Sequence, residues 1–262
     1  MSAPSLTSSR TSSSASSLAE LSRTVRPLTL ARDCTVPALD ALVDLLPDGG
    51  LARGSVTQVA GPAATSLALA LAAGPSAAGW WTAVVGCPDL GLTAAAEAGL
   101  ALDRLAMVAE PAPGEWAGVV AALIGGVDVV LVGPTHRVRA PDARRLAARA
   151  RERGTVLVRL RPSGTGDLRR ADGLEADLRL TVVDARWQGL GRGHGHVQAR
   201  RLTVEVDGRR RANRPRRVEL WCPDATGAVA AIRDHGHRAG PRTTEPADRP
   251  EAERMPSLEQ AV

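Results

Sequence analysis

The stretch VPALDALVDLLPDGGLARGSVTQVAGPAATSLALAL, residues Val36–Leu71, says more about the fold than any other part of this 262-residue chain. Leu39, Leu42, Val43 and Leu46 recur at helical spacing, which predicts a helix stopped by Pro47-Asp48-Gly49-Gly50. A β-run follows over Ser55–Ala60, then a Gly61-Pro62 turn, then a helical stretch over Thr65–Ala73. That order of elements opens an α/β sheet.

The alternation continues outward. Further β-runs lie at Trp81–Val85, Leu105–Ala109, Val127–Val132 and Thr155–Leu160, separated by helical stretches at Leu92–Leu100, Glu115–Ile124 and Pro141–Arg153. Near-continuous apolar strands such as Val127–Val132 suit a sheet buried on both faces, and strands alternating with helices predict a mostly parallel sheet. After Leu160 the helices stop. Asp177–Val183, Ala199–Val206 and Arg217–Trp221 are expected as antiparallel additions at the sheet edge. The expected organisation is a disordered Ser/Thr-rich segment over 1–26, one domain over 27–239 and a disordered tail over 240–262. Within the domain, 36–183 is the core and 184–239 an Arg-rich β extension.

Composition narrows the chemistry. The chain has no lysine: all thirty-three basic residues are arginines, and Phe and Tyr are absent as well. A GC-rich genome explains much of this bias. It still matters for phosphate chemistry, because the pattern G-x-x-x-x-G-K-[ST] uses a flexible ammonium that a rigid guanidinium does not replace. Cys34, Cys87 and Cys222 are odd in number and far apart, which suits a reducing cytoplasm. The N-terminal residues have no apolar run of the signal-peptide kind, and no uninterrupted membrane span occurs, so a cytoplasmic location is expected.

Val36–Leu71 resembles the RecA recombinase core, in which a short helix, a GGL-x-x-G turn and a strand lead into the nucleotide-binding loop. The resemblance spans roughly 36–183 and implies a RecA-like α/β fold. It also implies damage to each catalytic element. After Gly61-Pro62 the chain gives Ala63-Ala64-Thr65-Ser66, about three residues shorter than the family's loop and without its second Gly and Lys. Gly61, Pro62, Thr65 and Ser66 are then a vestigial loop, with no bound nucleotide or other cofactor expected. Gly133 stands where the Walker B strand would end in a metal-holding Asp. Asp89, in Pro88-Asp89-Leu90, is the one carboxylate near the place of the catalytic Glu. With Lys, metal carboxylate and water-polarising Glu all missing, the expectation is no phosphoryl transfer and no enzyme.

Two further segments, Trp81–Leu105 and Trp187–His196, resemble the ImuA-type accessory proteins of bacterial DNA-damage-induced mutagenesis, especially the actinobacterial form. What that resemblance implies is a scaffold in translesion synthesis, beside an ImuB-type polymerase-like protein and an error-prone C-family polymerase, associated with the nucleoid on damage. The SulA division inhibitor is a relative of the same fold without the lysine loop, so an inhibitory protein-binder stays open. So do a sequence-independent DNA-binding module and, last, a RecA-like DNA-dependent ATPase.

Outside those segments, basic charge concentrates in the β extension. Between Arg186 and Arg217 ten arginines face two carboxylates, Glu205 and Asp207. Arg192, Arg200, Arg201, Arg209, Arg210, Arg211 and Arg214 are the candidate surface for DNA or a partner, with a solvated face as the plain alternative. Arg137, Arg139, Arg144 and Arg145 have the same two readings, phosphate contact or the exposed side of a helix. His194, His196, His235 and His237 are Gly-spaced loop histidines, and no metal site is expected. The apolar residues of 254–262 suit a frayed end better than a docking motif.

Overall fold

Valine-rich runs with no polar face become the middle of a sheet. The computed structural model describes residues 34–134, 138–163, 174–190, 195–209, 212 and 214–232. Its first half runs β1 (Thr35–Val36), a 3₁₀ turn (Asp40–Leu42), β2 (Leu51–Ala52), β3 (Val56–Gly61), α1 (Ala64–Ala77), β4 (Thr82–Val85), α2 (Leu92–Glu97) and a 3₁₀ turn (Leu102–Arg104). There follow β5 (Leu105–Val108), α3 (Trp116–Leu123), β6 (Val129–Val132), α4 (Ala140–Arg153) and β7 (Val156–Pro162). The chain then turns to β8 (Leu178–Leu190), β9 (Gly195–Gly208), β10 (Arg216–Trp221) and β11 (Ala230–Ala231).

Among the described residues β3 to β11 form one sheet in the order β11-β10-β9-β8-β3-β7-β6-β4-β5. From β8 to β5 every pairing is parallel, and from β8 outward through β11 every pairing is antiparallel. β8 therefore belongs to both parts: it runs parallel to β3 and antiparallel to β9. The antiparallel addition begins one strand later than the sequence pattern suggests. A β-bulge between Val182 and Asp184 falls at the 183/184 division of core from extension.

Helices cover both faces of the parallel part. α1 is built almost wholly of Ala and Leu and is buried from Ala64 to Ser76 except at Thr65 and Ser66. A helix apolar all round has to be covered on every side. Gly74 lets it press against the segment before the first 3₁₀ turn, since a β-carbon there would lie 2.7 Å from Ala38 Cα. On the opposite face α4 buries Ala143, Leu146, Ala147 and Ala150, an i, i+3, i+4, i+7 stripe, and leaves Arg144, Arg145 and Arg149 exposed.

The helix expected over Leu39–Leu46 contracts to a 3₁₀ turn and further turns. Leu42 N–H bonds to Leu39 O and Leu45 N–H to Leu42 O, both one residue short of the α-helical reach. Its apolar residues are nonetheless seated, with Leu42, Leu45 and Leu46 all buried. One α-type bond remains, Leu46 N–H to Leu42 O at 3.2 Å, so burial accounts for most of their spacing.

β8, β9 and β10 alternate over Leu178–Val182, Leu202–Val206 and Val218–Leu220. Leu180, Val182, Leu202, Val204, Val206 and Leu220 face the core, while the opposite face is a charge ladder. Arg179 Nη1 lies 3.1 Å from Asp207 Oδ1, Arg217 Nη2 lies 2.6 Å from Glu205 Oε1, and Arg201 pairs with Glu219. These pairs are part-exposed and contribute little each, so the apolar face sets the stability. Leu180→Ala is accordingly expected to cost about 2–5 kcal/mol in chemical denaturation. Asp207→Ala should cost about 1 kcal/mol or less, and a larger loss there would mean that the ladder holds the extension.

Candidate functional site

In a parallel α/β sheet, ligands gather beyond the C-terminal ends of the strands, where helix N-termini offer free N–H groups. Here β3 ends at Gly61 and α1 starts at Ala64, so Pro62 and Ala63 alone make the connection. Ala63 takes the left-handed conformation at φ 60°, and no side chain caps the helix. Thr65 and Ser66 lie half-buried in its first turn, and Pro62 is exposed. The four residues singled out from the sequence thus fall within one strand-to-helix turn, across a connection of two residues. Gly61, at φ +95°, is pressed from the side as well: a β-carbon on it would lie 2.2 Å from Val182 O in β8.

The end of β6 is closed by backbone. Gly133 N–H donates to Val85 O at 2.8 Å, and a β-carbon at Gly133 would lie 1.9 Å from Gly86 O and 2.8 Å from Cys87 Sγ. Any carboxylate here would displace the β4 end. The Cys87 thiol occupies the space beside it, and its burial pushes the thiol up to about 11. Asp89 is exposed in the turn that follows. Among the described residues no group of three or more His, Cys, Asp or Glu is placed to hold a metal.

The arginine surface is dispersed. Arg201 lies midway along β9 and Arg209 just past its end, about 25 Å apart at roughly 3.3 Å per strand residue. Arg209 pairs with Glu175, which raises its pKa chiefly through that side-chain hydrogen bond. Arg200 Nε donates to Cys222 O at 2.7 Å, and Arg216 donates to the carbonyls of Asp44 and Leu45. Arg214 is exposed. The ten-to-two count along the sequence is offset in space by Glu175, Asp184 and Glu219, which lie outside the counted window. Arg139 pairs with its own helix neighbour Asp142 at 3.0 Å. Arg137, Arg192, Arg210, Arg211, His194, His235 and His237, with the segments 1–26 and 240–262, lie outside the described residues.

Two features escape a reading of the sequence. Arg159 on β7 is 8% exposed, and its guanidinium points at Leu174 O, 3.5 Å away. Burial first, and the neighbouring Arg161 second, lower its pKa to about 10. The other is a stack at the base of the β8–β9 hairpin, with the Arg200 guanidinium 4.8 Å above the Trp187 ring. Trp187 and Arg200 are thirteen residues apart and meet only through the strand register.

Comparison with known proteins agrees with the architecture. The sequence model of the MT3502 N-terminal domain family matches residues 44–164. The uncharacterized protein Rv3395c of Mycobacterium tuberculosis (strain ATCC 25618 / H37Rv) is 42% identical over 118 residues, which is 44% of this chain and 56% of that protein. The chain therefore spans little more than half the length of this relative. The crystal structure of the RadB recombinase superposes with a TM-score of 0.53 at 18% identity, covering 74% of this chain and 97% of that one. The fold is RecA-like. Among the described residues no helix is long and apolar enough to cross a membrane.

Gly133→Asp, which would put back a metal-type carboxylate, should lower stability by roughly 3 kcal/mol or more and gain no Mg²⁺-dependent recovery in thermal melts. Gly114→Asp is the control, since nothing lies within 4 Å of a β-carbon there. Thiolate is the form that alkylates, and a thiol raised to about 11 is only about one part in a thousand thiolate at pH 8. Cys87 should therefore label later than exposed Cys34, and its rate should climb about tenfold per pH unit below 11. Fast labelling of Cys87 at pH 8 would contradict this placement.

Proposed function

We propose that this chain is a non-catalytic RecA-like accessory protein in DNA-damage-induced mutagenesis. In this reading it is a scaffold between an ImuB-type polymerase-like protein and an error-prone C-family polymerase in translesion synthesis. The observation that supports a non-catalytic role most directly is the Gly133 seat, where backbone and the Cys87 thiol fill the place of a metal-holding carboxylate. The connection of Pro62 and Ala63, which leaves no phosphate cradle, supports the same reading. A fold that keeps its sheet and helices while its catalytic edge is closed keeps its surfaces as working parts.

The assignment to mutagenesis rests on the sequence likeness of Trp81–Leu105 and Trp187–His196 to ImuA-type proteins. In the structure the first segment is β4, α2 and the approach to β5, ending at a sheet edge, and the second includes the end of β8 and the start of β9. Both are surface-bearing parts of the fold, with Trp81, Leu92, Leu102, Trp187 and Leu190 exposed. Large apolar side chains left in water suit protein contact better than they suit catalysis.

The test is to tag the protein in its own host, induce DNA damage and identify what copurifies after nuclease treatment. A Y-family-like protein together with an error-prone polymerase is the expected recovery. Division proteins, or nothing once DNA is digested, would overturn the scaffold role. In parallel, purified protein should turn over no ATP above background with or without DNA. Turnover that disappears in Thr65→Ala or Ser66→Ala would restore the ATPase reading.

A further inference from the structure

β8 and β9 are far longer than their neighbours. β8 bonds to β3 only over Leu178–Thr181, and β9 pairs with β10 only over Arg201–Val206. Arg200 still bonds through its backbone to Cys222 and Pro223, and beyond it the two strands pair chiefly with each other, through Gln188↔Ala199 and Leu190↔Gly195. The hairpin therefore leaves the sheet as a two-stranded ribbon, on the side where β3 ends. A second bulge lies at Gly189, at φ +88°, where a β-carbon would meet His196 O at 2.1 Å.

A lone two-stranded ribbon buries almost nothing, so length of this kind has no evident use in folding. Its charge is one-sided: between Ala185 and Val204 the sequence has arginines at 186, 192, 200 and 201 and no Asp or Glu. Asp184 and Glu219 reach Arg186 and Arg201 from outside that span. At the ribbon's base Trp187 is 45% exposed and carries the Arg200 guanidinium over its ring at 4.8 Å. Arg200 is itself anchored by its bond to Cys222 O. A cation fixed over one face of an indole leaves the other face as a plane for stacking.

We propose that this ribbon is a single-stranded nucleic-acid contact, with Trp187 stacking on an unpaired base, Arg200 on the same face neutralising an adjacent phosphate, and Arg186 on the other face of the strand adding to the positive field that draws the polyanion. A polyanion suits the acid-free span, and an unpaired base suits the exposed indole at the ribbon's base, because bases inside a duplex offer no free face. Exposed Leu190 and Val197 make a protein partner the competing occupant. The acid-free charge and the Trp–Arg plane favour nucleic acid. The proposal does not depend on the scaffold role, since binding of an oligonucleotide in solution requires neither polymerase.

The experiment is fluorescence anisotropy with a labelled oligothymidylate of about 30 nucleotides and the matching duplex, using the full chain. Tighter binding to the single strand is expected, falling roughly sevenfold from 50 to 200 mM salt for about two phosphate contacts. Trp187→Ala should weaken it roughly tenfold, with Trp187→Phe retaining most of the affinity. Arg186→Glu, far from the core, should weaken it without lowering Tm and provides the test if Trp187→Ala fails to fold. Absence of binding at low salt, equal or better binding to duplex, or unchanged affinity in folded Trp187→Ala each overturns the proposal. If Trp187→Ala leaves oligonucleotide affinity intact but loses protein partners in the copurification, the ribbon is a protein-docking arm instead.

Discussion

The β3–β8 pairing is the joint on which the rest of the molecule hangs. β3 is held on one side by β7 and on the other by β8, both parallel to it, and its final residue is pressed against the Val182 carbonyl. A glycine at 61 is required by both its φ of +95° and the 2.2 Å approach. Three consequences follow from this one seat. The antiparallel extension is welded to the parallel core, the connection to α1 is squeezed from the side, and the β8–β9 hairpin is aimed past the strand ends.

Electrostatics follow the same frame. Alternation along the paired parts of β8 to β10 sends Leu180, Val182, Leu202, Val204, Val206 and Leu220 inward and sets Arg179, Arg201, Glu205, Asp207, Arg217 and Glu219 on the other face, where opposite charges fall across from or diagonal to one another. Much of the arginine excess is thereby spent on local pairs. On the ribbon too, Arg186 and Arg201 meet Asp184 and Glu219, so the distribution of positive charge depends on strand register as much as on composition.

Small residues rather than large ones draw together the C-terminal edge of the parallel strands. Gly133, Gly86 and Cys87 draw the ends of β6 and β4 together, and Pro62 and Ala63 shorten the path into α1. Compactness at this edge fixes the β6 end against the β4 end, with Gly133 N–H donating to Val85 O. It also lets α1, an almost entirely aliphatic helix, lie flush against the sheet. That packing supplies much of the core in a chain without Phe or Tyr.

Periodicity alone was enough to locate the helices and strands of the parallel sheet, because apolar runs such as Val129–Val132 and the α4 stripe can be buried in only one way. The missing lysine and Gly133 were legible too, since they are identities and need no partner to be read. The Leu39–Leu46 segment was misread because burial and helical hydrogen bonding impose similar spacing on leucines, and sequence cannot separate them. Arg159 among buried aliphatics, the Trp187–Arg200 stack and the pairing of Arg209 with Glu175 were illegible for a different reason. Each joins residues distant in the chain, and such meetings are created by strand register, which exists only once the sheet has formed.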